Sequence, residues 1–180
     1  MIKTRTLWVS ALLFAGLLNH AGAVYVGGNP ITYVDPKGLR TGVTVWQPVG
    51  WGESSFGHVS VDINGTTFSF GPEGMATIPT TDYTSRNDFR SGTEVELRLT
   101  PQQEAALHWC LSTSHGSYNA AMNNCASPVQ SCLKTLGINT GNQLFPVSLG
   151  NKLIELGWVK GANVYPQSTP SQGTSAPWAR

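Results

Sequence analysis

The sequence predicts an α+β fold in which helices pack on an antiparallel sheet, and three local patterns indicate it. Two runs that alternate apolar and polar residues flank Asn64-Gly65, the preferred pair for a tight hairpin turn. Thr100-Pro101-Gln102-Gln103 is a capping-box helix start with proline at the first helical position. A stripe of apolar residues at helical spacing follows Asn124 and ends at Gly137. With 180 residues, 40% of them hydrophobic, the chain is long enough for one domain with a real core.

The first 23 residues match a secretory signal. Lys3 and Arg5 precede an apolar run from Leu7 to Leu18, and Ala21-Gly22-Ala23 forms a small-residue cleavage site. The apolar run is shorter than the ~20 residues that cross a bilayer, which favours cleavage over a retained anchor. We therefore expect a mature chain that begins near Val24 and is exported, to the periplasm or the medium.

Composition and cysteine content limit the partners and cofactors. A formal charge of +1 and a charged fraction of 12% offer no basic surface for nucleic acid, so no such partner is expected. Of the three cysteines, Cys110 and Cys132 either form a disulfide between two predicted helices or remain two buried thiols. A metal site built from His108, Cys110 and His115 matches no strong zinc spacing, so neither metal nor cofactor is expected.

Strands dominate the first half of the predicted domain. Residues 41–49 form a β-type run, and residues 50–57 form a loop leading to His58. The Asn64-Gly65 turn predicts that Ser60 faces Ser69 and that His58 faces Gly71 across the hairpin. The opposite face then carries Val59, Val61, Ile63, Phe68 and Phe70. A helix carrying a cysteine could thus approach His58, with Ser60 or Ser69 bonded to its second ring nitrogen.

Helices dominate the second half. Residues 72–92 are rich in Pro, Gly, Thr and Asp and predict a long surface connection. A strand is expected over residues 94–99 and a helix over 101–114. The helix after Asn124 ends at Gly137, and a short helix spans 149–156. Beyond Gly161 the composition is that of a disordered tail.

One cysteine lies where a thiol becomes a nucleophile. Cys125 is at the start of the helix that follows Asn123-Asn124, and the positive end of a helix dipole stabilises a thiolate. His58 is the candidate base. Each residue also has an ordinary structural interpretation: a buried thiol for Cys125, a bonded strand residue for His58, and helix caps for the asparagines. Tyr118 and Trp51 are further candidates, for packing or for lining a groove.

Two segments carry a family resemblance. Phe56-Gly57-His58-Val59 and residues 118–129 resemble the circularly permuted NlpC-like, papain-fold cysteine hydrolases, and the related lecithin retinol acyltransferase-like and "NNC" families. The resemblance covers roughly residues 41–158, and the predicted domain extends over residues 41–160. It implies a permuted papain-like fold with Cys125 as nucleophile and His58 as base. Ser69 would take the place of the third polar residue, and the amides at the helix start would stabilise an oxyanion.

A second resemblance concerns residues 24–40. The segment Asn29-Pro30-Ile31-Thr32-Tyr33-Val34-Asp35-Pro36-Lys37-Gly38-Leu39 is similar to the end of an Rhs-repeat core, which joins a shell to a toxin effector. With the export signal, it implies a monomeric antibacterial effector that cleaves amide bonds in peptidoglycan peptides and is guarded by an immunity protein. The alternatives are a lipid acyl hydrolase or acyltransferase of the same fold, and a non-catalytic binding module.

Overall fold

The computed structural model describes residues 40–49 and 55–168. The predicted signal, residues 24–39 of the Rhs-like segment and Trp51 lie outside the described residues. Within the described part the chain is α+β, with six strands in one antiparallel sheet and four helices. The strands are β1 (Thr41–Trp46), β2 (His58–Ile63), β3 (Thr66–Gly71), β4 (Gly74–Pro79), β5 (Gly92–Leu97) and β6 (Val159–Tyr165). The helices are α1 (Thr80–Arg86), α2 (Pro101–Leu111), α3 (Ala126–Thr135) and α4 (Pro146–Glu155).

The order of strands across the sheet is β4-β3-β2-β1-β5-β6, which places the strand of His58 near the centre. The predicted hairpin joins β2 to β3, with φ of 52° at Asn64 and 81° at Gly65. Its ladder runs from Ile63–Thr66 to Ser60–Ser69, which confirms the predicted Ser60–Ser69 pair. The ladder stops there, so the predicted pairing of His58 with Gly71 is absent from it. The ring of His58 bonds to Ser69 instead.

Helices α2, α3 and α4 supply most of the helical part of the core. Val59, Val61 and Ile63 of β2 belong to the same buried apolar cluster as Val129 and Leu133 of α3. Helix α3 therefore packs on the apolar face of β2. The apolar stripe of α3 is covered by this surface, and Cys125 at the start of the helix lies beside β2 at Val59.

Residues 72–92 are not a long surface connection. They contain β4 at one edge of the sheet, the short helix α1, and a buried segment that includes Arg90. The prediction failed because β4 is largely exposed and lacks a clear apolar alternation. In addition, α1 begins after Pro79 without a side-chain cap. Helix α1 contacts β3 and β4 and places Tyr83 in the interior.

Residues 161–165 do not belong to a disordered tail, and residues 169–180 of that prediction lie outside the described residues. Residues 161–165 belong to β6, which pairs with β5 in an antiparallel ladder, and Tyr165 donates a hydrogen bond to the buried Glu94 at 2.9 Å. Glycine and polar residues in this segment resemble a tail in composition. The open edge of β5 provides the backbone partners that turn it into a strand.

The three other predicted helices are present, as α2, α3 and α4, but their first or last residues differ from the predicted ones. The capping box of α2 is present, with the side chains and amides of Thr100 and Gln103 bonded reciprocally. Helix α4 begins at Pro146, three residues before the predicted start. None of the helices in the described residues is long and apolar enough to cross a membrane.

A disulfide joins Cys110 of α2 to Cys132 of α3. It resolves the choice that the sequence left open, and it excludes Cys110 as a metal ligand because the thiolate is consumed. Cys125 remains as a free, buried thiol. Since the chain has three cysteines in total, native protein with this disulfide intact has a single free thiol.

Candidate functional site

Cys125 occupies the N-cap position of α3, as the sequence predicted. The helix starts here because Asn124 accepts a hydrogen bond from the Ala126 amide through its side-chain oxygen, at 2.9 Å. Ser127 completes the turn by accepting from the Asn124 amide at 3.1 Å. Of the two asparagines proposed as caps, Asn124 has this role. The sulfur is thereby fixed at the positive end of the helix.

The surroundings of the Cys125 sulfur act on its charge in opposite directions. The side chain is 5% exposed, and burial raises the pKa of its thiol to about 11. The backbone amides of Val59, Cys125 and Ala126 and the positive charge of Arg90 partly offset that increase. Burial is the larger effect, so the resting residue is a neutral thiol at pH 7. The interaction with the Val59 amide places the sulfur beside β2, one residue from His58.

His58 is the first residue of β2, and its side chain is almost completely buried. Its Nε2 atom lies 2.8 Å from Oγ of Ser69, on the neighbouring strand β3. Burial lowers the pKa of His58 well below 6.5, and the positive charge of Arg90 lowers it further. The imidazole is therefore neutral at pH 7, which is the protonation state required of a general base.

The two candidate catalytic residues are linked through β2, because the Cys125 sulfur interacts with the amide of Val59, the residue that follows His58. Within residues 40–49 and 55–168, no hydrogen bond joins Cys125 to His58. When Nε2–H of His58 donates to Oγ of Ser69, Nδ1 is the unprotonated ring nitrogen, and it is the one that can accept a proton. In ligand-free enzymes such contacts are often long and tighten only when substrate binds.

Behind Ser69 lies a polar group that the sequence did not indicate. The Ser69 hydroxyl is 3.1 Å from the hydroxyl of Tyr83, which is buried under α1. Arg90 is also buried, and its guanidinium lies over the ring of Trp46 at 5.6 Å. Both residues come from the segment predicted to be a surface connection. A buried tyrosine and arginine in a polar stretch carry no periodic signal, so only the tertiary structure identifies them.

Ser60 is part of the same polar face but does not contact His58 through a hydrogen bond. It accepts a hydrogen bond from Nε1 of Trp46 at 2.9 Å. Of the two serines proposed as partners of the imidazole, Ser69 is the one that bonds to it. Ser60 instead supports Trp46 and interacts with Tyr83.

The other predicted site residues organise loops. Asn123 donates to the carbonyl oxygens of His115 and Ser117 at 2.8 and 2.9 Å, which shapes the loop before Asn124. Tyr118 packs its ring against Phe70, with 5.7 Å between centroids. Neither contact involves Cys125 or His58.

An apolar rim, defined as Phe56, Leu144 and Phe145, lies beside the candidate site. Phe56 is 71% exposed and precedes His58 by two residues, and its ring is 5.9 Å from that of Phe145. Leu144 is 51% exposed, and its carbonyl oxygen accepts a hydrogen bond from Asn124 at 3.0 Å. Exposed apolar side chains therefore flank both the strand of His58 and the loop before Cys125.

In the described part of the chain, no group of three or more His, Cys, Asp or Glu side chains could hold a metal ion. No protein-family model matches the sequence, and comparison with curated proteins and with solved structures gave no match. The case for a function therefore depends on the geometry of the site and on the sequence patterns.

Proposed function

We propose that this protein is a cysteine hydrolase in which Cys125 attacks a substrate carbonyl and His58 transfers the proton. One observation carries the proposal. The free thiol, Cys125, lies at the start of α3 with its sulfur against the amide of Val59, and the residue before Val59 in the chain is His58, a buried histidine held by Ser69. The permuted papain-like fold is part of the proposal, supported by the order of histidine before cysteine and by helices packed on an antiparallel sheet.

The mechanism starts from a neutral pair. His58 removes the thiol proton as the Cys125 sulfur bonds to the carbonyl carbon, and the carbonyl electrons move to oxygen. The oxyanion accepts a hydrogen bond from the Cys125 amide, which donates to no other oxygen in the described part of the chain. Collapse of the intermediate breaks the carbon–nitrogen or carbon–oxygen bond, and His58 returns the proton to the leaving group. Water then hydrolyses the thioester by the same route and restores the thiol.

We propose an amide bond of peptidoglycan peptides as the substrate. The support comes from the sequence: a secretory signal, the Rhs-like segment and the resemblance to permuted NlpC-like hydrolases. In that setting the protein is an exported antibacterial effector, and an immunity protein would bind over the surface that gives access to Cys125 and His58.

A second candidate substrate is a lipid acyl ester, and the apolar rim favours it. Phe56, Leu144 and Phe145 are large, exposed and adjacent to the site. Burying exposed apolar side chains against an acyl chain gains about 25 cal/mol for each Å² removed from water. A lipid substrate would use the rim, whereas a polar stem peptide would use it less.

The test is to incubate the full chain with purified peptidoglycan and, separately, with phospholipid vesicles, and to analyse the products by mass spectrometry. New muropeptides establish the amidase, and released fatty acid establishes the lipid enzyme. Both activities should disappear in Cys125→Ala. His58→Gln should lower the rate by about 10²- to 10⁴-fold, the usual contribution of a general base. Unchanged products from Cys125→Ala would refute cysteine catalysis, and no products from wild type would favour a binding module.

A matched pair of variants separates the two substrates. Phe56→Ala removes an aromatic side chain from the apolar rim, and Trp109→Ala removes an equally exposed aromatic residue from α2. On p-nitrophenyl esters, a lipid enzyme should prefer decanoate over acetate, and Phe56→Ala should reduce that preference while Trp109→Ala leaves it unchanged. Equal rates for both esters, in wild type and both variants, would contradict the acyl-chain interpretation.

A further inference from the structure

We infer that Tyr83 is a positioning residue of this site, which holds the imidazole of His58 through the hydroxyl of Ser69. The inference rests on the proposed function. It concerns the third polar position, where the family resemblance would place a histidine or asparagine and this chain has a serine. A serine hydroxyl rotates freely unless a second partner fixes it.

The contacts form one continuous path. Nε2 of His58 is 2.8 Å from Oγ of Ser69, which is 3.1 Å from the hydroxyl oxygen of Tyr83. All three side chains are at most 3% exposed. Without water to compete, each hydroxyl depends on its protein neighbours for hydrogen bonds, so the orientation of one constrains the next.

Tyr83 is itself held in a closed ring of contacts. Its backbone carbonyl accepts a hydrogen bond from Nδ2 of Asn87 at 2.9 Å. The Asn87 side-chain oxygen accepts two hydrogen bonds from Arg90, at 3.1 and 2.6 Å. Arg90 lies over Trp46, and Trp46 contacts the ring of Tyr83 edge-on at 5.9 Å.

The hydrogen bond to Tyr83 therefore fixes the orientation of the Ser69 hydroxyl. Proton transfer needs the imidazole held within about 10–20° of its productive orientation. The hydroxyl of Tyr83 supplies the second contact to Ser69, and the ring of contacts through Asn87 and Arg90 fixes that hydroxyl. Tyr83 touches neither Cys125 nor the substrate position in this scheme. It acts through another residue.

The test is a double-mutant cycle on the full chain, with alkylation of Cys125 by iodoacetamide as the readout. Tyr83→Phe removes only the hydroxyl. It should slow alkylation about three- to tenfold, the usual effect of losing one hydrogen bond. Ser69→Ala should slow it as well. The double variant should react no more slowly than Ser69→Ala alone, because the path runs through that serine.

Tyr165→Phe is the matched control. Tyr165 stacks on Trp46 at 5.6 Å, and its hydroxyl donates to Glu94 and not to the path. It should alkylate at the wild-type rate. A second readout is the nitrogen spectrum of ¹⁵N-histidine-labelled protein, in which the His58 signals are assigned by their loss in His58→Gln. Tyr83→Phe and Ser69→Ala should shift those signals, and Tyr165→Phe should not.

The outcomes separate the two proposals. If His58→Gln slows alkylation but Tyr83→Phe behaves like Tyr165→Phe in both readouts, the inference about Tyr83 is wrong and the hydrolase proposal stands. Rate losses that multiply in the double variant would likewise overturn the inference. If Cys125 reacts equally fast in wild type and His58→Gln, the proposed function fails and the inference fails with it.

Discussion

Reduction of the Cys110–Cys132 disulfide should destabilise the protein by about 3 kcal/mol. The bridge closes a loop with a sequence separation of 22, and loop-closure entropy for that length gives a free-energy loss of this size. For a folded domain the size of residues 40–49 and 55–168, a loss of that free energy lowers the melting temperature by roughly 10–15 °C. Chemical reduction is cleaner than substitution because Cys132 is fully buried, and a smaller side chain would also leave a cavity.

The assay is urea unfolding with and without a reductant that does not absorb in the far ultraviolet. Cys125→Ala serves as the background, so that the free thiol cannot exchange with the bridge. Alkylation of unfolded wild-type protein should label one cysteine before reduction and three after it, which verifies the bridge. If labelling confirms complete reduction and the free energy of unfolding changes by less than about 1 kcal/mol, the loop-closure argument is refuted.

Three further predictions concern protonation and close packing. Because the folded-state pKa of His58 is lowered, the unfolded chain binds more protons below pH 6.5. The contribution of His58 to the free energy of unfolding is therefore complete above pH 6.5 and falls with acid by up to about 1.4 kcal/mol per pH unit. The difference in free energy of unfolding between wild type and His58→Gln, measured in urea at several pH values, should show this dependence. A difference that does not change with pH would contradict it. Hydrolysis by wild type should likewise keep its rate below pH 6.5, since the base is protonated only at lower pH, and a rate that halves at pH 6.5 would indicate an unshifted histidine. Gly65→Ala should destabilise the fold by about 1–2 kcal/mol, because its backbone is strained for alanine although the space around it is open. Gly42→Ala should destabilise it more, because a Cβ at Gly42 would lie 1.8 Å from the buried carboxylate of Glu94. Equal unfolding midpoints for the two variants would show that the carboxylate moves freely.

The electrostatics of the site favour a pair that is neutral at rest. Both titrating groups are buried, and desolvation is the largest influence on each, raising the pKa of Cys125 and lowering that of His58. Arg90 lowers the pKa of both groups, since its positive charge favours the thiolate of Cys125 and opposes the imidazolium of His58. In the proposed mechanism, the buried Arg90 would stabilise negative charge on the sulfur while keeping the base unprotonated.

Local chemistry was sufficient to predict several elements from the sequence. The Asn64-Gly65 turn and the capping box at Thr100 depend only on interactions among four or fewer consecutive residues, so both are present as expected. The start of α3 at Cys125 follows from the same kind of signal, with Asn124 accepting from the first free amide. The approximate position of the two candidate catalytic residues was therefore available from the sequence.

The elements that the sequence did not reveal depend on distant partners. Strand β6 is a glycine-containing polar segment that forms a strand because the edge of β5 is open to pair with it. Helix α1 has no cap, and its place is determined by the burial of Tyr83 against the polar face of the sheet. No local pattern identifies such contacts, since their energy comes from surfaces that meet only in the folded chain.

The sequence by itself thus determined the α+β class, the hairpin and the position of Cys125 at the start of a helix, because turns, caps and periodicity are properties of neighbouring residues. Only the tertiary structure decided which serine bonds to His58, which cysteines pair, and that Tyr83 and Arg90 lie behind the site. Each of those decisions joins residues at least ten positions apart, and their distances depend on how strands and helices pack.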